Sequence, residues 1–117
     1  MTNKFVMYHI SPVSNMLNIL KNGLKPSLAF KESIKSRWGP QEPVVYITDS
    51  IERTKDYAEQ ISEYYDIYGK WAIFKIEYDE FPEEIHIDLL WGVPGTYYTT
   101  MAIPPEHISL IDFYDIE

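Results

Sequence analysis

The stretch Tyr8-His9-Ile10-Ser11 closes an apolar run that begins after Lys4 and stops at Pro12. Apolar residues occupy both alternating sets of positions in this run, which is typical of an interior β-strand. The pattern then changes, because Ser11 suits a helix N-cap, Pro12 suits the first helical position, and apolar residues follow at helical spacing as far as Gly23. We therefore predict a strand that ends beside a helix start, with a phenol and an imidazole at the junction.

Residues 44–48 form a short β-branched run that predicts a second strand. Asp49, with Glu52 three residues later, resembles a capping box and predicts the start of a second helix, which Gly69 is expected to end. Later strands are predicted at residues 71–78, 85–90, 96–103 and 107–116. Two early helices and a majority of late strands indicate an α+β protein with a mainly antiparallel sheet.

Length and composition limit the architecture and the environment. The 117 residues suffice for a single domain, residues 1–117, and not for a second core. Residues 25–43 lack periodicity and contain several prolines, which predicts a long loop of the kind that often carries a binding function. The absence of cysteine and of a signal-like or membrane-spanning run leads us to expect a cytoplasmic protein without a membrane partner.

Charge and motif content exclude several classes of site. The net charge is −8 and the basic residues are scattered, which argues against an extended nucleic-acid-binding face but leaves room for a small nucleotide. The sequence contains no Rossmann glycine fingerprint, no P-loop and no nucleophile elbow. The three histidines, at positions 9, 86 and 107, are too far apart in sequence to match a known ligand spacing, so we expect no metal.

Four segments together resemble the ADP-ribosyltransferase superfamily, in particular the branch that contains the DNA- and RNA-directed ADP-ribosyltransferases and the RNA 2′-phosphotransferases. They are Tyr8-His9-Ile10-Ser11, residues 18–26 (NILKNGLKP), residues 45–49 (VYITD) and the closing run 97–108 (YYTTMAIPPEHI). They occur in the order seen in that branch and span about two-thirds of the chain. The resemblance implies a fold in which NAD, used as a co-substrate, binds in a cleft between two small sheets.

The resemblance also implies roles for individual residues. His9 would orient the ribose of NAD, Tyr46 would stack on nicotinamide, and Glu106 is the nearest candidate for the family's catalytic carboxylate, since residues 96–102 contain no acid. Arg37 would pair with the diphosphate through its planar guanidinium. The candidate cofactor-binding residues are Tyr8, Ser11, Arg37, Thr48 and Thr100.

Structural explanations remain open for each of these residues. His9 and Tyr46 also suit core positions of their strands, Arg37 can pack on Trp38 as a surface cation–π pair, and Glu106 suits a turn. At the level of function, the first hypothesis is a small NAD-dependent mono-ADP-ribosyltransferase that modifies a macromolecule. The second is an inactive member of the fold that binds an NAD-related nucleotide or a partner protein, for example in phage or bacterial defence. Removal of RNA 2′-phosphates is disfavoured by the acidic charge and the presence of only two arginines.

Overall fold

Six strands and two α-helices make up the described part of the chain, which in this computed structural model comprises residues 4–26, 45–80, 88–89, 96–99 and 101–117. In chain order the elements are β1 (Phe5–Pro12), α1 (Met16–Asn22), β2 (Val45–Thr48), α2 (Ile51–Tyr65), β3 (Gly69–Tyr78), β4 (Asp88–Leu89), β5 (Thr96–Thr99) and β6 (Ile108–Ile116). Short 3₁₀ turns at Val13–Asn15 and Pro105–His107 precede α1 and β6. The prediction of an α+β fold with a mainly antiparallel sheet and two main helices is confirmed.

The strands form one sheet in the order β4-β5-β2-β1-β3-β6, and every neighbouring pair is antiparallel. Successive side chains of β1 point to opposite faces of this sheet. One face packs against α1 and the other against α2, so the sheet lies between two layers. The core on the α1 side includes Met7, Ile19, Ile47, Phe74, Ile76 and Ile103. The core on the α2 side includes Ile10, Tyr57, Ala58, Ile61, Trp71 and Ile73.

The predicted start of the first helix at Ser11 and Pro12 is wrong. Strand β1 continues through Pro12, which pairs with Trp71 of β3, and the α-helix begins only at Met16. The partner strand β3 extends two residues past Trp71, to Gly69, so a partner is available for Pro12. A proline at a strand terminus costs little. The apolar residues of this segment do not all face the core, because Leu17 is 75% exposed whereas Ile19 is buried.

The predicted ends of the second helix are wrong as well. Ser50, and not Asp49, is the N-cap of α2, and its hydroxyl accepts a hydrogen bond from the Arg53 backbone N–H at 3.2 Å. At the other end Asp66 adopts a left-handed conformation with φ 54° and terminates the helix, while Gly69 already belongs to β3.

Among the later strands, β3 begins two residues earlier than predicted, at Gly69, whereas β5 and β6 are shorter than predicted. Strand β5 ends at Thr99 instead of continuing to residue 103, because Ile103 forms a separate two-hydrogen-bond bridge with Leu24. Strand β6 begins at Ile108. The predicted loop at residues 25–43 lies outside the described residues from position 27 onward, as do residues 85–87 and 90 of the predicted fourth strand. Within the described ranges, no helix is long and apolar enough to cross a membrane.

Candidate functional site

The sheet is nearly divided between β1 and β2. Along β1 all eight residues pair with β3, whereas β1 and β2 are in register at a single pair, Tyr8 with Thr48. Strand β2 in turn pairs with β5 along its whole length. The molecule therefore has two three-stranded halves, β4-β5-β2 and β1-β3-β6, that meet at one residue pair. We call the place where β1 and β2 separate beyond the Tyr8–Thr48 pair the gap.

His9 bridges the gap with its side chain. The Nδ1 atom of the imidazole lies 2.7 Å from the backbone carbonyl oxygen of Tyr46. A carbonyl oxygen can only accept, so Nδ1 carries the hydrogen and donates it. In a neutral ring this tautomer leaves Nε2 as a hydrogen-bond acceptor. The side chain thus supplies a donor to a β2 carbonyl at a point where the two strands no longer pair in register.

Burial keeps the imidazole neutral. Removal from water disfavours the charged ring and lowers the pKa of His9 below its usual value of 6.5, and the hydrogen bond to the Tyr46 carbonyl opposes this effect only in part. The ring also lies 6.3 Å, centroid to centroid, from that of Phe74, its partner in register on β3. At neutral pH His9 is therefore an uncharged group with one committed nitrogen and one acceptor nitrogen.

The candidate side chains are distributed over both faces of the sheet. Strand alternation puts the imidazole of His9 on the side of α1, together with Phe74, whereas the ring of Tyr46 packs against the core on the side of α2. Because the two side chains leave the sheet in opposite directions, one ligand can touch both only if it occupies the gap itself.

A small cavity lies beside the gap. It is lined by Tyr8, His9, Ile10, Tyr46, Thr48, Thr54 and Tyr57. The volume open to water is about 10 Å³, and a cavity needs roughly 10–15 Å³ of this kind to hold one water molecule. The rings of Tyr46 and Tyr57 lie 5.6 Å apart and are inclined at 36°. In this conformation the cavity is thus too small for a nicotinamide ring.

Two hydroxyl groups of the cavity wall are already used as donors. Thr48 Oγ1 donates to the Ser50 carbonyl at 2.9 Å, and Thr54 Oγ1 donates to the Ile51 carbonyl at 2.6 Å. Both threonines are buried. Each oxygen keeps acceptor capacity, so these side chains can still receive a hydrogen bond from a ligand.

The structure brings together four of the sequence-predicted residues, namely Tyr8, His9, Tyr46 and Thr48, around one cavity. Ser11 does not join them. It lies two residues beyond His9 on the α1 side, where its hydroxyl accepts a hydrogen bond from Asn15 Nδ2 at 2.9 Å. Arg37 and Thr100 lie outside the described residues.

Glu106 lies away from the gap. It belongs to the 3₁₀ turn before β6, and its side chain is 74% exposed. The neighbouring His107 ring stacks on Tyr78 with centroids 3.8 Å apart, and its Nδ1 lies 3.1 Å from the Glu77 carbonyl. Tyr78 pairs with Phe5, four residues along β1 from His9, which corresponds to roughly 13 Å at 3.3 Å per residue.

Two further residues of this site, Thr54 and Tyr57, were not predicted from the sequence. Both are on α2 and reach the cavity because that helix covers the face of the sheet onto which Tyr46 points. Thr54 and Tyr57 are three residues apart, and this spacing brings both to one side of a helix. That spacing is the signal that could have identified them.

Comparisons with known proteins give no match. No protein-family model matches the chain, and neither a curated protein nor a solved structure does. Within the described ranges, no group of three or more histidine, aspartate or glutamate side chains has an arrangement that could hold a metal ion. The family resemblance therefore depends on the sequence segments quoted above.

Proposed function

We propose that the chain is a small ADP-ribosyltransferase-like protein that binds an NAD-type nucleotide in the gap and transfers ADP-ribose to a macromolecule. The observation that carries this proposal is the near division of the sheet at the Tyr8–Thr48 pair, with His9 at that point. The resemblance implies a cleft between two small sheets with this histidine beside the ribose, and the near division of the sheet beside His9 supports that expectation.

The protonation of His9 suits a ribose ligand. Its Nδ1 is committed to the Tyr46 carbonyl, so the ring orientation is fixed, and the acceptor Nε2 can receive a hydrogen bond from a ribose hydroxyl. Tyr46 would stack on nicotinamide. Because the cavity beside the gap is smaller than that ring, binding requires the Tyr46 and Tyr57 rings to separate. Departure of nicotinamide leaves a positively charged, oxocarbenium-like carbon, for which fixed positioning and electrostatic stabilisation matter most.

One observation favours a second candidate function, which is nucleotide binding without transfer. None of the described residues that line the cavity carries a carboxylate, and Glu106 is exposed at the far end of β1. A member of the fold that lacks a carboxylate near the ribose would retain binding and lose the group that activates the acceptor.

Two measurements with the same protein samples distinguish these functions. Incubation with labelled NAD and cell lysate measures transfer, and calorimetry with NAD and with ADP-ribose measures binding. We expect labelled macromolecules with the wild type and loss of label with His9→Ala and Tyr46→Ala. Binding of NAD without label supports the second candidate. Absence of binding to both ligands contradicts the two candidates together.

The variant His9→Asn separates a role in the site from a role in the fold. The asparagine amide nitrogen can replace Nδ1 as donor to the Tyr46 carbonyl, but no atom replaces Nε2. If Nε2 contacts the ribose, this variant keeps the unfolding midpoint near that of the wild type and loses NAD affinity. Equal NAD affinity in the two proteins would contradict a role of His9 in binding.

A further inference from the structure

Strand β6 ends the described sheet, and its outer edge offers backbone groups to a partner. It pairs with β3 on one side, and no described strand pairs with the other side. The backbone N–H of Phe113 donates to the carboxylate of its own neighbour Asp112 at 2.8 Å. A side-chain acceptor at that position indicates an N–H that faces away from β3. Because hydrogen-bonding directions alternate along a strand, the N–H of Asp115 faces the same way.

The regular part of this edge is its second half. The pairing of β3 with β6 shifts register between Ile73 and Phe74, which leaves Ile111 without a partner as a β-bulge. From Asp112 to Ile116 the pairing is continuous. Within this part Phe113 is 41% exposed and presents an apolar surface at the edge.

The surroundings of this edge are strongly acidic. An open groove of about 490 Å³ lies between the end of α2 and the end of β6, and its walls include Glu59, Glu63, Asp115 and Glu117. None of the described residues that line it is basic. The hydrogen bond from the Tyr114 hydroxyl to Glu59 raises the pKa of Tyr114, and further carboxylates of α2 raise it more.

Two lysines lie beside the second half of β6. Lys55 lies over the ring of Tyr114 with its Nζ 5.2 Å from the centroid, and Lys70 lies over the ring of Phe113 at 5.4 Å. Both cations are therefore held at aromatic faces by cation–π attraction. The carboxylates of the groove remain available to a cation from outside.

The charge pattern determines which partner fits. Antiparallel pairing of two β6 strands would bring the acidic residues Asp112, Asp115 and Glu117 close to those of the second copy, and like charges across a pair of strands are destabilising. A cationic strand has the opposite effect. A backbone carbonyl of that strand can accept the Phe113 N–H in place of Asp112. A lysine or arginine of the same strand can then pair with the Asp112 carboxylate.

We propose that the outer edge of β6, from Asp112 to Ile116, binds an extended, lysine- or arginine-rich segment of a partner protein, which adds a strand to the sheet and projects cations into the acidic groove. This interaction is independent of the proposed function, because β3 and β1 separate β6 from the gap.

The test uses a fluorescent peptide of nine residues, the length of β6, in which lysine and valine alternate. We expect the full chain to bind it, to bind it more weakly as salt is added, and not to bind the same peptide with glutamate in place of lysine. Phe113→Pro removes the outward N–H and should weaken binding by about tenfold or more. Phe113→Ala keeps that N–H and is the matched control, so its loss should be smaller.

A second variant keeps the test decisive if Phe113→Pro does not fold. Asp115→Lys reverses one charge on an exposed position of the same edge, and we expect it to melt near the wild-type temperature and to bind the lysine peptide about tenfold more weakly. No binding of the lysine peptide to the wild type would overturn the proposal. Equal binding to Asp115→Lys, or formation of a wild-type dimer that Phe113→Pro abolishes, would also overturn it.

Discussion

At the scale of single residues, the two ring nitrogens of His9 have different roles. Nδ1 donates across the gap to the Tyr46 carbonyl and therefore contributes to the fold. Nε2 is the atom that the proposed function assigns to the ligand. Alanine removes both nitrogens at once, so a His9→Ala variant alone cannot distinguish the role in the fold from the role in binding.

We expect His9→Ala to lower the free energy of unfolding by about 1–3 kcal/mol, because the Tyr46 carbonyl loses the hydrogen bond that the half-buried imidazole donates. His9→Asn should lose much less, since its amide can donate in place of Nδ1. Urea unfolding of the two variants beside the wild type measures the difference. Equal losses in both variants would mean that the hydrogen bond contributes little.

The lowered pKa of His9 makes stability depend on pH in a defined direction. The unfolded chain, with a histidine pKa near 6.5, binds the proton more readily than the folded chain. The contribution of His9 to stability is therefore complete above pH 6.5 and is lost as the pH falls through the folded pKa, at no more than about 1.4 kcal/mol per pH unit.

Urea unfolding at a series of pH values below neutrality checks this prediction, with His9→Asn as the control that lacks the titrating group. The wild type should lose more stability than the variant on acidification. Parallel pH profiles of the two proteins would contradict a lowered pKa at His9.

Glu106 provides a further prediction at the residue scale. Its side chain is 74% exposed, and the ring of the neighbouring His107 stacks on Tyr78, whose partner Phe5 lies roughly 13 Å along β1 from His9, so a change at Glu106 should not reach the gap. We expect Glu106→Gln to leave NAD affinity within about twofold of the wild type by calorimetry. A large loss of affinity would show that this carboxylate approaches the nucleotide and would restore it as the catalytic acid.

At the scale of elements, the end of α1 depends on a glycine in close contact with the chain segment before β6. Gly23 has φ 85°, and a Cβ at this position would overlap the Ile103 carbonyl oxygen. That oxygen accepts the Leu24 N–H at 2.9 Å, one of the two hydrogen bonds that connect the segments. The positive φ and the close approach both require glycine here.

Gly23→Ala should therefore destabilise the protein by about 2 kcal/mol or more, since the strained backbone alone costs about 1–3 kcal/mol. Gly69→Ala is the matched control, because Gly69 also has a positive φ, 112°, but a Cβ there would meet no atom within 4 Å. Thermal or urea unfolding of both variants gives the comparison. A smaller loss for Gly23→Ala than for Gly69→Ala would contradict the close contact with Ile103.

The two polar residues at the start of α2, Asp49 and Ser50, have different roles. Ser50 caps the helix by accepting the Arg53 N–H, whereas Asp49 forms an exposed ion pair with Arg53 at 3.7 Å. Ser50→Ala should cost about 1 kcal/mol. Asp49→Ala should cost less, because exposed ion pairs contribute little. The reverse order in urea unfolding would support the capping box at Asp49 that the sequence predicts.

Local sequence patterns predicted the elements better than their ends. The apolar runs of β1, β2 and β3 and the helical spacing in α2 are strong enough to identify those elements. The helix starts were missed because Ser11 is retained in β1 by pairing with β3, and because Asp49 and Ser50 are both good capping residues. Tertiary pairing and cap geometry decide such ends, and neither is visible in a local pattern.

At the scale of the whole molecule, the strand order and the gap could not be predicted from the residues alone. Strand order depends on pairings between distant segments, such as β1 with β3, and local periodicity carries no information about them. The resemblance predicts a cleft between two small sheets, whereas the described strands form one six-stranded sheet in which β1 and β2 are in register at a single residue pair. Four residues that line the cavity were candidates from the sequence. Thr54 and Tyr57 were not, because their place in the cavity depends on where α2 packs on the sheet.

The central claim is that an NAD-type nucleotide occupies the gap beside His9, and nitrogen NMR of the three histidine rings tests it most directly. Protein labelled with ¹⁵N in its histidines is titrated with NAD while the ring nitrogens are observed. We predict that the His9 Nε2 resonance shifts with increasing NAD and that Nδ1 remains the protonated nitrogen. His9 resonances that stay unchanged up to saturating NAD, or a shift confined to the other two rings, would contradict the claim.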